Sequence, residues 1–426
     1  MKIEPAAALV GDIAVPGVKG ISQRGVLLGA IAEGESELRG FGHAADTDVA
    51  IKAVRSLGVE VNEPAGDVVR IVGRGLHGLV PPRGPIDCEN AGTVLRLLSG
   101  VLAGQEGRFE LVGDSSLSSR PVRVQEPLAQ MGALLETNNG RPPVTIEGAR
   151  LEPIRYELPM ASAQLKSSVL LAGLLAERGP TTVVEPVPTR DHTELVLASL
   201  GVRVRRKGHD ISIWPAERLP PLSIDIPGDF SSAAPFIVAA TMLSGSELRI
   251  HEVNLNPTRT GFLDVLGRMG ARVTVFNRRL AGGELVGDLD IRSAELVATE
   301  IGPEEVPLLI DELPLFALAA ALARGESVVR GAAELRVKET DRIETVTTSL
   351  RALGVRIVAS DDGFRVRGVP TRPRGGGMRS NGDHRIAMLG AVAGLASREG
   401  AEIEDAEAVA VSFPGFFELL ESVTQR

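Results

Sequence analysis

One cysteine, one tryptophan and one tyrosine stand among 426 residues, and only six of the 46 basic residues are lysine. With Cys88 alone, no disulfide can form within the chain, which suits a reducing cytoplasm. Aromatics reach only 3%, too few for the stacking platforms that hold single-stranded nucleic acid. Positive charge is short as well. A net charge of −9 speaks against a surface that binds polyanions throughout, so any anion site must be local. The apolar runs contain glycine and stop short of the roughly 18 residues a membrane span needs. The opening MKIEPAAALVGDIAVPG has no signal-peptide profile. Dinucleotide, Walker A, zinc-protease and serine-hydrolase motifs are missing too. His192 and Glu194 are too close on a helix for a zinc pair. Neither a metal nor a cofactor is expected.

What is present is a repeat. A stretch of small and aliphatic residues closed by glycine occurs six times: 24–34, 93–104, 167–179, 231–245, 313–325 and 384–400. A fixed period of about seventy residues marks a repeated supersecondary unit. Such stretches are apolar nearly all round and predict buried helices. A second unit interleaves with them, a helix ending in Leu-Gly or Met-Gly and running into a strand: 53–61, 128–136, 196–204, 265–275 and 349–358. Its glycine predicts a left-handed residue just past the helix end. A sixth helix, 416–423, is expected to end the chain with no strand after it.

The polar residues gather ahead of the six buried helices. The fronts are Lys19 to Arg24, Asn90 to Thr93, Ser162 to Gln164, Gly228 to Ser231, Ile310 to Glu312 and Gly382 to Arg385. Helix N-termini offer free N–H groups and the positive dipole end, so six of them can build one anion site. Lys19 and Arg24 can grip a phosphate or carboxylate. Ser162, Gln164 and Lys166 suit a phosphate or a sugar-like ring. Asp311, after an aliphatic strand, is a natural general base. Thr189, Arg190 and His192 lie near another helix start.

Read together, ASAQLKS, NPTRTGFLDVLGRMGA, LIDELP, LRVKETDRI, DHRIAM and VSFPGFFE resemble the 5-enolpyruvylshikimate-3-phosphate (EPSP) synthase family, in order and over essentially the whole chain. The resemblance implies an α/β fold of two inside-out domains, each of three βαβαββ repeats, joined by a two-strand hinge. Residues 1–18 with 228–426 would form one domain and 19–227 the other. It further implies a carboxyvinyltransferase that moves the enolpyruvyl group of phosphoenolpyruvate to the 5-hydroxyl of shikimate 3-phosphate, a monomer in the cytoplasm with no nucleic-acid or membrane partner.

By that resemblance, Lys19, Asn90, Gly92, Thr93, Arg120, Gln164, Lys338, Arg342 and Arg385 would bind phosphoenolpyruvate. Lys19, Gly20, Arg24, Ser162, Ala163, Gln164, Thr189, Asp311, Glu334 and Lys338 would bind shikimate 3-phosphate. Asp311 would take the hydroxyl proton with Lys19 assisting, or the two would exchange parts, and Glu339 would protonate the methylene carbon. The chain departs from the family's Pro-Gly-Asp-Lys-Ser-Ile-Ser-His-Arg at Val18, Gly20 and Gln23, and carries Glu89 where glycine is usual. Glu89 is expected to bring an extra carboxylate near the anion pocket. The alternatives are a related transferase with another acceptor alcohol and a non-catalytic anion-binding paralogue. The UDP-N-acetylglucosamine enolpyruvyl transferases are disfavoured, because Ser115 stands where their reactive cysteine is expected.

Overall fold

The computed structural model describes residues 1–64 and 66–426. The chain folds into two compact units. The first comprises Met1–Pro16, Pro227–Arg279 and Leu285–Arg426; the second comprises Gly17–Ile226 with the short segment Leu280–Glu284. That segment, inside the sequence-expected 228–426 domain, thus groups with the other unit.

The second unit holds three four-stranded sheets, and each has the same plan. Their strands are, in spatial order, Ser223–Asp225, Glu33–Arg39, Val69–Arg74 and Glu60–Asn62; then Ile86–Asp87, Arg108–Val112, Arg141–Glu147 and Leu134–Asn138; then Arg155–Glu157, Thr181–Val184, Asp210–Ile213 and Val204–Lys207. In each the first pair is parallel and the others antiparallel. A parallel pair needs a crossover, and in the second and third sheets it is a buried helix, Gly92–Leu102 or Ala163–Leu174. In the first sheet the paired strands lie far apart in the chain, and the buried helix Lys19–Ala30 runs into Glu33–Arg39. Strand residues alternate between buried and exposed, so each sheet turns one face to its helices and one to water.

The first unit places its buried helices Phe230–Met242, Leu313–Leu322 and His384–Leu395 against sheets of five, four and three strands. Twelve of the thirteen residues of Phe230–Met242 are buried, including Pro235 within the helix. Ala8–Ala14 enters this unit beside Glu247–Asn254 in parallel. One expectation is corrected here. The helix Phe416–Val423 is followed by a strand, Thr424–Gln425, which pairs antiparallel with Ala8–Leu9. Two residues are too few to leave a periodic signal.

The second repeating unit also appears. Gly58, Gly132, Gly201, Gly270 and Gly354 all have φ between 83° and 108°, the left-handed conformation that ends a helix and redirects the chain. No helix among the described residues is long and apolar enough to cross a membrane.

Small residues matter where buried helices touch. A Cβ on Gly100 would sit 2.2 Å from the Ser168 carbonyl oxygen, so Gly92–Leu102 and Ala163–Leu174 can approach only because Gly100 has none. Gly100→Ala is therefore expected to destabilise the protein by about 2 kcal/mol or more through overpacking. Urea denaturation checks this, and an unchanged midpoint would contradict it.

Candidate active site

The polar groups cluster at the starts of the buried helices, and each unit carries its own set.

In the second unit, Lys19 opens its helix and is partly exposed. Its Nζ lies 2.6 Å from Asp46 Oδ2, and Gln23 donates to the Asp46 carbonyl at 2.8 Å. Arg24, one turn on, is buried. It donates to Thr193 Oγ1 (2.6 Å), the Gly20 carbonyl (2.8 Å) and Ser167 Oγ (3.0 Å). The guanidinium thus ties the first helix to two others and fixes the Gly20 turn.

A second group surrounds the start of Gly92–Leu102. Arg120 donates to Asn90 Oδ1 at 2.5 Å and to the Asn90 carbonyl at 2.9 Å. Asn90 in turn donates to Asp114 at 2.8 Å. Gln164 donates to Thr93 Oγ1 at 2.9 Å and accepts from Arg96 at 2.7 Å. Arg96 also donates to the carbonyls of Gly92, Pro121 and Val122. Gly92 is small of necessity, since a Cβ there would meet Arg96 Nη1 at 2.7 Å. Asn90 and Arg120 thus form one linked pair, and Gly92, Thr93 and Gln164 are joined through Arg96 and Gln164. Ser162 caps the helix that begins at Ala163, accepting from the Leu165 amide at 3.3 Å.

Further side chains of this unit are held by neighbouring groups. Lys166 was grouped with residues suited to a ligand; its side chain is fully buried against Glu185 and Glu194. Thr189 is buried too, and its hydroxyl donates inward to Glu185 at 2.8 Å. Glu89 adds no uncompensated carboxylate, because Lys52 Nζ holds its Oε1 at 2.7 Å. His192 Nδ1 lies 2.6 Å from Glu284 Oε1, both side chains being buried.

In the first unit the centre is Asp311. Arg259 donates to its Oδ2 at 3.2 Å, while Arg385 lies 3.5 Å from that oxygen and Arg342 3.6 Å from Oδ1. Arg385 also donates to the Asp311 carbonyl at 3.3 Å. Arg342, buried, is held by Asp383 at 2.8 and 3.1 Å and by Glu339 at 2.6 Å. Asp383 caps the helix His384–Leu395 through the Arg385 amide. Ser231 accepts from Arg259 and donates to buried Glu312. Glu334 lies on the short helical turn Ala333–Val337 just before Lys338.

Electrostatics follow from this packing. Burial alone would raise Glu339, but Arg342, His384 and Lys338 outweigh it and hold the carboxyl well below its ordinary range. Asp383 behaves alike: burial opposes, Arg342 prevails, and the group falls below 3.8. Burial pushes the Lys338 ammonium down, against the pull of Asp311 and Glu334. Burial drives Glu312 up despite Arg259 and Arg385.

Asp46, Arg96, Arg259 and Glu312 had no assigned role in the sequence reading. Arg259 was inside a recognised motif, NPTRTGF, yet nothing in the motif says that it touches Asp311. Asp46 carried no signal, because a carboxylate in the first turn of a helix is ordinary.

Small-residue helices inside sheets, with cations and carboxylates only at their leading ends, define an α/β protein built to handle small anions. The EPSP synthase (3-phosphoshikimate 1-carboxyvinyltransferase) family model matches residues 3–420. A 3-phosphoshikimate 1-carboxyvinyltransferase of Lactiplantibacillus plantarum is 48% identical over 433 aligned residues, covering 100% of this chain and 99% of the relative. An EPSP synthase structure from Acinetobacter baumannii superposes with a TM-score of 0.89 at 42% identity, covering 99% of this chain and 97% of that one. The enolpyruvyl transferase NikO of Streptomyces tendae shares the fold, with a TM-score of 0.77 at 20% identity and coverage of 99% and 96%. The chain belongs to the EPSP synthase family.

Two predictions arise from this geometry. Glu89 sits at φ 46°, in the left-handed region that costs a side-chain-bearing residue about 1–2 kcal/mol. Glu89→Gly is expected to stabilise the protein by up to about 1 kcal/mol once glycine's extra unfolded-state entropy is subtracted. A lower urea midpoint would show that the Lys52 ion pair outweighs the strain. Asp383 and Glu339 are depressed in the fold, so the unfolded chain binds protons first as pH falls. Their contribution is complete above the unfolded carboxyl values, near pH 4, and is lost below them. Urea midpoints should hold from neutrality to about pH 5 and fall below about pH 4. Asp383→Asn should cost about 3–5 kcal/mol at neutral pH by leaving Arg342 underpaired, and flatten that acid limb.

Proposed function

We propose that this protein transfers the enolpyruvyl group of phosphoenolpyruvate to the 5-hydroxyl of shikimate 3-phosphate and releases inorganic phosphate. The observation that carries the reading is the grouping of Arg259, Arg342 and Arg385 around Asp311, with Glu339 on Arg342. A reaction that joins two multiply charged anions needs fixed cations beside a base and an acid. The family membership supports the same reading. Phosphoenolpyruvate would be held by Lys19, Asn90, Gly92, Thr93, Arg120, Gln164, Lys338, Arg342 and Arg385. Shikimate 3-phosphate would be held by Lys19, Gly20, Ser162, Ala163, Gln164, Asp311, Glu334 and Lys338, with Arg24 and Thr189 acting from beneath. The protein would work as a cytoplasmic monomer.

The chemistry is addition and then elimination. The acceptor oxygen attacks C2 of phosphoenolpyruvate, and its proton passes to Asp311 or Lys19. Glu339 gives a proton to C3, making it a methyl group. In the second step a methyl proton returns to Glu339, the C2–O bond to phosphate breaks, and the double bond re-forms. Asp311, as the base, lies among three arginines that also face incoming anionic groups. Glu339 poses a separate problem. Arg342 keeps it ionised in the free protein, and an acid must carry a proton. The charge of bound phosphoenolpyruvate supplies the remedy: it competes for Arg342 and raises the carboxyl.

Phosphate release should require both substrates, with the enolpyruvyl product confirmed by mass. A protein that binds both but turns over only with another alcohol would favour the second reading, which Gly20 motivates by its missing hydroxyl. Asp311→Asn should lower kcat by about 10²-fold or more, with KM for phosphoenolpyruvate changed only a few-fold. Calorimetric titration in buffers of differing ionisation enthalpy should show proton uptake when phosphoenolpyruvate joins the shikimate 3-phosphate complex. Glu339→Gln should abolish that uptake; its persistence would exclude Glu339 as the acid.

A further inference from the structure

We infer that Lys166 and Glu185 are positioning residues for the acceptor alcohol, fixing Thr189 against the start of the helix Ala163–Leu174. This rests on the acceptor reading given above.

Lys166 has no exposed side-chain surface, so it cannot meet a substrate itself. Its Nζ lies 3.1 Å from Glu185 Oε2 and 2.8 Å from Glu194 Oε1, and donates to the Thr189 carbonyl at 3.2 Å. Glu185 Oε2 accepts from the Thr189 amide at 3.1 Å and from its hydroxyl at 2.8 Å. Amide, hydroxyl proton and carbonyl of Thr189 are therefore all bound by this one pair. Glu185 Oε1 is held from the other side by Arg206 at 2.6 Å. The Lys166 amide donates to the Ser162 carbonyl at 3.0 Å, so the same residue is joined to the turn that carries Ser162, Ala163 and Gln164. Glu194, on the helix His192–Ser199, completes the set.

The arrangement is expensive. Burying these charges costs several kcal/mol per ion, and apolar side chains of similar volume would often stabilise a core as well. An apolar core, however, cannot hold a loop by its amide, hydroxyl and carbonyl at once. A buried lysine between two carboxylates can, with the partly exposed Arg206 on the outer side of Glu185. Glu194, which burial pushes up, is opposed chiefly by Lys166, so the lysine keeps three separate elements in register.

The test separates positioning from stability. Shikimate 3-phosphate binding is titrated by calorimetry, and KM for each substrate is measured in turnover, for the wild type, Glu185→Gln, Thr189→Val and the double variant. Each single variant is expected to weaken shikimate 3-phosphate about tenfold, the loss of one charge-assisted hydrogen bond, while KM for phosphoenolpyruvate stays within about twofold. The double variant should be no weaker than the poorer single one. Additive losses, or equal changes in both KM values alongside a lower unfolding temperature, would overturn the inference. Should Glu185→Gln fail to fold, Lys166→Met combined with Glu194→Gln removes the lysine without stranding Glu194, and the same split is expected. Wild-type protein that binds shikimate 3-phosphate without turnover would sink the functional reading and leave the binding comparison as the test of this one. Wild-type protein that does not bind it would sink both.

Discussion

A helix buried on every side can carry charged groups only toward its ends. Six helices among the described residues are in that position, and the rest of the organisation follows. Their middles are mostly small or aliphatic, because an unpaired polar group there would cost several kcal/mol; hydroxyls such as Ser99 and Thr241 donate to the carbonyl one turn earlier. Their leading ends are the places where free N–H groups, the positive dipole end and polar side chains coincide. Chemistry is thus confined to the starts of the crossovers by the same packing that makes the core. Where two such helices touch, as at Gly100 and Ser168, even a methyl group is too large.

Electrostatic order at those ends is set by pairs of unlike charge, not by an excess of cations. Arg342 is shared by Asp383, Glu339 and Asp311, and Arg259 by Asp229, Asp311 and Ser231. Each guanidinium is fixed by carboxylates before any ligand arrives, so little reorganisation is left for the ligand to bring about. In a chain with net charge −9, the cations at these helix starts are each held among carboxylates. In the second unit Lys19 with Asp46, and Lys166 with Glu185 and Glu194, repeat the device.

Much of the fold was legible because it is periodic. Small-residue stretches of helical length, and glycines at helix ends, are local patterns, and the structure places helices and left-handed residues there. The short strand Thr424–Gln425 was not legible; it exists only because the edge of Ala8–Ala14 offers it hydrogen bonds. Of the site, the residues at helix starts were visible, since position ahead of an apolar run is itself a signal. The residues that orient them were not. Arg259 and Asp46 lie far along the chain from what they touch, and each alone resembles an ordinary surface charge; Glu312 stood at a visible helix front, but its partners Ser231 and Arg385 did not show.

The sequence by itself determined the repeat, the buried helices, the polar fronts and the family, because each is written in neighbouring residues or in an ordered set of motifs. Tertiary structure alone decided which charges meet. It turned Lys166 inward although it sits among ligand-like residues, directed the Thr189 hydroxyl to Glu185, and gave Glu89 to Lys52. Whether a charge serves a ligand or another side chain depends on burial and on partners tens of residues away, and periodicity encodes neither.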